Sequence, residues 1–315
     1  MNEKIRCIDA GSEYCPCYLA ETGNCIVCSH LQNKEMCECD WCGTCIFNEF
    51  YWNSYTKKKS RESVYCKILQ KKFINSQLAI LSLQISKGLA RQLIHPGSYA
   101  MFRNPDKPHY FDIPISILDV TESTGRIDIA VQSIGAKSKT LLDASEHLLI
   151  KGPYWNGIIG LEYFKKLSKK NVLLVVRGIA QAPAVSVIKN LYKNKNNITL
   201  VLDPGNVDSS FIKDYIHHFN VEIISLDLKS KNNILSIENL IKDRSFDLIF
   251  SGGSDLLHGE LLQIIRNLEK EIDIAATNNH EICCGEGICG ACSTFNKDGN
   301  LLKMCKNQVQ LKEIL

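Results

Sequence analysis

No stretch of this 315-residue chain is long and apolar enough to read as a membrane span. Its first residues lack the apolar run that opens a secretory signal. Charge of one sign is also lacking: 37 Lys and Arg against 34 Asp and Glu leave a formal +3. That balance points to neither nucleic acid nor a membrane surface. There is no internal repeat and no low-complexity segment. No Ser/His/Asp set and no paired carboxylates stand at a spacing that suggests hydrolytic or general acid–base chemistry. The expectation is a cytoplasmic protein without nucleic-acid binding or membrane insertion, long enough for two or three packed units.

Cysteine, by contrast, is plentiful. Fifteen cysteines fall into two groups, at residues 7–45 and 283–305, with Cys66 between them as a small buried hydrophobe. A disulfide scaffold spreads its bridges through a short secreted chain. Clustering at two ends of an otherwise ordinary domain reads as metal binding. In the later group Cys284, Cys289, Cys292 and Cys305 form C-x4-C-x2-C-x12-C. Gly285, Gly287 and Gly290 let the loop take positive φ and turn its N–H groups toward sulfur. The spacing suits a [2Fe–2S] cluster better than tetrahedral zinc, which usually takes two C-x2-C knuckles. Cys283 competes with Cys284 as first ligand, and the glycine wrap that begins after Cys284 favours the latter.

The earlier group runs Cys7, Cys15, Cys17, Cys25, Cys28, Cys37, Cys39, Cys42, Cys45, more thiols than one centre uses. Cys25, Cys28, Cys42 and Cys45 approximate a zinc ribbon. Cys39, Cys42 and Cys45 give the C-x2-C-x2-C core of a cubane loop without its Cys-Pro. Candidate ligands are therefore Cys15, Cys17, Cys25, Cys28, Cys37, Cys39, Cys42 and Cys45, for a second iron–sulfur cluster or zinc. So short and polar a segment needs metal to fold. Its acidic residues, Asp9 among them, read as a solvated surface. The basic run Lys57, Lys58, Lys59 and Arg61 reads as a solvated linker.

The middle of the chain changes pattern once. Between residues 73 and 150, short alternating runs at 78–85, 98–102, 113–120 and 126–132 predict an antiparallel barrel, with a helix at 138–145. From residue 171, continuous apolar runs such as Val172–Val176 alternate with helical stretches and predict a doubly wound parallel sheet. The fold class is thus α+β and multidomain. The segments are a Cys-rich metal module at 1–60, a barrel at 61–158, an α/β domain at 159–277 and an iron–sulfur loop at 278–315.

A barrel, an α/β domain and then C-G-x-G-x-C-x-x-C resemble the electron-transfer subunit of dihydroorotate dehydrogenase and, more broadly, the ferredoxin–NADP reductase family. The resemblance covers roughly residues 75–310. It implies FAD on the barrel, with Pro114 and Ser116 matching the R-P-x-S strand, although Ile113 replaces its arginine. Gly135, Lys137 and Ser138 match the second flavin element, and Gly152 the barrel–sheet junction. The dinucleotide turn is reduced to Arg177–Pro183, keeping Gly178, Ala182 and Pro183 but losing glycines at Arg177 and Ala180, which puts NAD(P) in doubt. No catalytic residue is assigned. The implied activity is electron transfer between FAD, iron–sulfur clusters and NAD(P)H or a redox partner protein or catalytic subunit. The alternative is a redox-sensing or assembly metalloprotein that has lost nicotinamide-dependent hydride transfer.

Overall fold

The computed structural model describes residues 6–165 and 167–315. The chain divides into two compact units, and the division follows neither chain end. Residues up to Ser63 join His280–Val309 in one unit, while Val64–Asn279 make the other. The first described strand, β1 (Arg6–Cys7), belongs to the former.

In the larger unit, β2 (Ser63–Phe73), β3 (Leu78–Gln84), β4 (Tyr99–Arg103), β5 (Ile113–Thr121), β6 (Arg126–Gln132) and β7 (His147–Tyr154) close a barrel in the order β2-β3-β6-β5-β4-β7. Alternate residues fill it: Leu81, Leu83, Ala100, Phe102, Ile127 and Ile129 are essentially inaccessible. Two of the six strands escape the alternation rule. In β2 the lysines 67, 71 and 72 interrupt the apolar period, and in β7 Gly152-Pro153 reads as a turn. The helix after β6 runs Ala136–Asp143, starting two residues before its predicted position.

The sheet comprises β8 (Ile158–Ile159), β9 (Asn171–Arg177), β10 (Asn197–Asp203), β11 (Val221–Ser225), β12 (Leu248–Gly252) and β13 (Asp273–Thr277). Its order is β11-β10-β9-β12-β13-β8, parallel except for the edge strand β8. The chain winds outward from β9 in one direction and then returns to β12 on the other side. That reversal opens a switch point at the carboxyl ends of β9 and β12. Val172–Val176 are wholly buried, as a central parallel strand requires. Barrel and sheet share one core in which Leu78, Ile80, Leu118 and Ala130 meet Leu174, Val185 and Leu200. Tyr215 Oη also donates to Asp128 at 3.2 Å. Each such buried aliphatic side chain contributes about 1.5–3 kcal/mol.

The smaller unit is held differently. One small apolar cluster gathers Cys15, Ala20, Cys28, Leu31, Ile46 and Phe50, and Leu19, Leu302 and Met304 are also buried. The hairpin β14 (Ser293–Phe295) and β15 (Leu301–Lys303) follows the later cysteines. Next, β16 (Asn307–Gln308) pairs antiparallel with β1, setting Cys7 opposite Asn307. A buried ion cluster ties the same segments. Arg61 donates to Asp9 at 2.9 Å and to Glu286 at 3.2 Å, and Lys306 reaches Glu286 at 3.0 Å and also pairs with Asp9. The Arg61 guanidinium lies 3.9 Å from the centre of the Tyr14 ring.

Two sequence expectations change here. Arg61 and Asp9 are buried partners, not linker and solvated surface. The neighbouring lysines are engaged too: Lys58 pairs with Glu49 at 2.7 Å and Lys59 with Glu13 at 2.5 Å. Three cations of the basic run thus pair with carboxylates of the acidic module. The second change concerns residues 6–60 and 280–309, which fall in one unit, joined by the β1–β16 pairing and by the ion cluster.

Candidate functional site

The later cysteine loop is shaped by its glycines. Gly285, Gly287 and Gly290 take φ of 70°, 76° and 78°. At Gly287 a Cβ would also stand 3.0 Å from the Leu19 side chain. The wrapped backbone turns donors toward sulfur. Glu286 N approaches Cys284 Sγ at 3.3 Å, and Cys305 N approaches Cys292 Sγ at 3.4 Å. The four thiols interact with one another. A hydrogen bond from Cys305, helped by backbone N–H groups of Cys289, Glu286 and Ile288, holds Cys284 down at about 3. Cys305 likewise holds Cys292 at about 6, while Cys305 itself is pushed up by keeping the shared proton. Burial raises Cys289. Cys283 is exposed. This donor set fits a thiolate-ligated cluster: sulfur ligands at short spacing, with N–H groups already in place to stabilise their charge.

The earlier cysteines form two neighbourhoods. Cys7, Cys15, Cys17 and Cys25 line one pocket, whose walls include Leu19, Val27 and Ile46. Burial pushes Cys7 well up, Cys15 up to about 12 and Cys25 up as well. Beyond them, Cys37 and Cys39 lie with sulfurs 3.9 Å apart, and Cys28 acts electrostatically on Cys39. Cys42 and Cys45 are exposed. Cys7 was not among the ligands expected from spacing. Among the described residues, no three His, Cys, Asp or Glu side chains are drawn to the spacing of a single ion.

In the larger unit the flavin-type positions gather at one end of the barrel. Pro114 and Ser116 lie on β5, opposite Met101 and Tyr99 of β4. The Tyr99 ring stacks on Tyr154 with centroids 5.2 Å apart. Lys137 Nζ donates to Asp112 O at 3.1 Å, bringing the start of the 136–143 helix to the head of β5. Ser138 is spent locally, accepting from Ile134 N and Gly135 N at 3.2 and 3.1 Å. Beside it Gly135 is open, and a Cβ there would touch nothing. Arg103, next to the position where arginine is missing, is already bound to Asp112 at 2.9 Å. Gly152 packs against Ala100 within the barrel wall.

At the switch point, Gly178 takes φ 62° and Ala182 and Pro183 begin the helix Gln181–Lys193. Arg177 Nε is 3.0 Å from Asp203 Oδ2 at the end of β10. Asp203 also accepts from Gly205 N at 2.7 Å and Leu228 N at 3.0 Å. An acidic residue here is the usual acceptor for a dinucleotide ribose. This one has its oxygens taken. Nearby, Ser251 Oγ lies 2.6 Å from His258 Nδ1, and His258 Nε2 faces Thr277 O at 3.1 Å. Burial lowers His258, keeping the imidazole neutral. This closed, fully buried set was not visible from spacing.

No family model matches the chain. It is 23% identical over 216 residues to the electron-transfer subunit of dihydroorotate dehydrogenase B (NAD(+)) from Clostridium perfringens, covering 68% of this chain and 83% of that protein. It is 25% identical over 214 residues to the same subunit from Streptococcus pneumoniae serotype 4, covering 66% and 82%. Among solved structures, the NADH-dependent reduced ferredoxin–NADP oxidoreductase from a study of flavin-based electron bifurcation superposes with a TM-score of 0.65. That match has 20% identity and covers 81% of this chain and 91% of the other. The chain has the barrel-and-sheet fold of the ferredoxin–NADP reductases and is similar in sequence to dihydroorotate dehydrogenase electron-transfer subunits.

Proposed function

We propose that the chain is an iron–sulfur flavoprotein that transfers electrons, serving a redox partner or catalytic subunit. The observation that carries this is the later cysteine loop, whose thiols and backbone donors fit a [2Fe–2S] cluster on Cys284, Cys289, Cys292 and Cys305. It occurs in a chain with a reductase-type barrel and sheet. When bound, FAD would exchange electrons in pairs or singly and the clusters would take them one at a time. The chain's own residues do the positioning. Ser116 and Pro114 border the ring site, Lys137 supplies positive charge, and the open turn at Gly135 lets a phosphate approach the helix N-terminus. The N-terminal cysteines hold a further metal centre.

The dinucleotide turn is the weak point of a conventional reductase reading. Arg177 is engaged with Asp203, so a nicotinamide dinucleotide must break that pair before its ribose and phosphates find partners. This same observation favours electron entry through a partner, or a sensing role without hydride transfer. Anaerobic preparation of the full chain, with iron, sulfide and flavin analysis, tests the proposal. Stoichiometric FAD with at least two irons per chain is expected, the number the later cluster requires. Absence of flavin after reconstitution would leave the sensing reading. Rapid flavin reduction by micromolar NADH or NADPH would show that the turn still works.

A further inference from the structure

We propose that Cys7, Cys15, Cys17 and Cys25 are the four thiolate ligands of one iron–sulfur centre. This rests on reading the N-terminal module as metal-binding and goes beyond it by assigning the ligands. The four residues come from three separate segments and line a single pocket. Cys17 is their common neighbour, acting electrostatically on Cys7, Cys15 and Cys25. Cys28 is near as well, its N–H approaching Cys25 Sγ at 3.4 Å, but it does not line the pocket. Only Pro16 separates Cys15 from Cys17, and the short helix Tyr18–Glu21 returns the chain so that Cys25 arrives on the same pocket. Cys7 is delivered by β1, whose place is set by pairing with β16.

The chemistry of the pocket favours a cluster. Soft thiolates select iron–sulfur clusters or zinc, and the remaining walls include Leu19, Ala20, Val27 and Ile46, which shield a cluster from water. Zinc would need all four sulfurs at about 2.3 Å from one point, a spacing that no three of these side chains take here. The assignment also resolves the excess of cysteines. Four surround the pocket, leaving Cys28, Cys37, Cys39, Cys42 and Cys45 for a second, outer site.

The position of the pocket links it to the later loop within the same unit. Cys7 pairs with Asn307, two residues beyond Cys305, and Ile8 N donates to Lys306 O at 2.8 Å. Paired Cα atoms about 5 Å apart and a two-residue step that spans at most about 7 Å keep the Cα atoms of Cys7 and Cys305 within about 13 Å. Leu19 lines the pocket and also packs on Gly287 of the loop.

The full chain, purified anaerobically and reconstituted with iron and sulfide, provides the test. Iron and sulfide content and Mössbauer spectra would be compared for the wild type, Cys7→Ser, Cys17→Ser and Cys37→Ser. Cys7→Ser and Cys17→Ser should each lose the same component, about four irons if the centre is a cubane, while Cys37→Ser keeps it. An unchanged iron count in Cys7→Ser overturns the assignment, as does zinc in the pocket. A wild type with no metal beyond the later pair of irons overturns the metal reading of the whole module instead. Because a serine variant can misfold, the wild type is also alkylated during stepwise iron chelation and mapped by mass spectrometry. The four thiols should become reactive together as iron leaves, and release of iron from that centre without labelling of Cys7 overturns the proposal.

Discussion

The two units of this chain solve the problem of cohesion in opposite ways. The larger is an aliphatic core: Leu78, Ile80, Leu118, Val172, Leu174 and Leu200 are at most 4% exposed and meet no charge that matters to their packing. The smaller buries Asp9, Arg61 and Lys306 almost completely, has a small apolar cluster and carries fourteen of the fifteen cysteines. Apolar burial needs no bound partner, whereas a unit that holds metal on thiolates, as proposed for the smaller one, depends on that metal for its stability. On the proposed reading one chain carries an apolar platform and a metal-dependent module.

Chelation should break this comparison most visibly. Removing iron from the anaerobic holoprotein is expected to unfold the smaller unit and spare the larger. Limited proteolysis should then cut within residues 6–63, while a fragment containing the barrel and sheet persists. Next in size is the ion cluster. Asp9→Asn leaves Arg61 and Lys306 short of one counter-charge, and loss of a partner from a buried pair costs about 3–5 kcal/mol. The loss should appear in the denaturant transition of the smaller unit alone. Burial raises the Asp9 carboxyl, but Lys306 and Arg61 outweigh that, so it sits below its ordinary value and is charged at neutral pH.

The matching change in the platform is Leu174→Ala, which should cost about 2–5 kcal/mol through the cavity it leaves. Its cost should be the same with and without chelator, which sharpens the contrast. Gly287→Ala should be milder, about 1–2 kcal/mol of backbone strain at φ 76°, with an added crowding of Leu19. Electron paramagnetic resonance of the reduced protein should show a shifted or weakened signal from the later cluster. Smallest is Arg177→Gly. Arg177 is partly exposed and the buried Asp203 keeps its two backbone donors, from Gly205 and Leu228, so the loss of stability should be small. Affinity for NADH should rise roughly tenfold, equivalent to about 1.4 kcal/mol, as measured by calorimetry.

Most of the platform is legible in sequence because its signals are local. Val172–Val176 announces a buried strand by its own composition, and 113–120 and 126–132 announce a barrel by alternation. Strand β2 is not legible, because its lysines break the apolar period, and its role appears only once β3 pairs with it. The glycine wrap of the later loop is equally local, and positive φ at Gly285, Gly287 and Gly290 is what their placement implies. The ion cluster is beyond any local reading. Arg61 meets Glu286 across 225 residues, and Asp9 meets Lys306 across 297. Cys7 escapes for the same reason, since spacing compares neighbours and its strand partner follows Cys305.

The pairing of β1 with β16 also orders events in time. The early cysteines leave the ribosome long before Asn307 and Lys306 exist, so Cys7 cannot reach its place while the chain is still being made. Bringing those ends together costs loop-closure entropy, which is reduced once the intervening residues have collapsed into the larger unit. Closure of the smaller unit is therefore expected to follow collapse of residues 64–279, an order that pulse-labelling hydrogen exchange would test. Closure buries Cys15, Cys28, Cys292 and Cys305, while Cys37, Cys42, Cys45, Cys283 and Cys289 stay exposed.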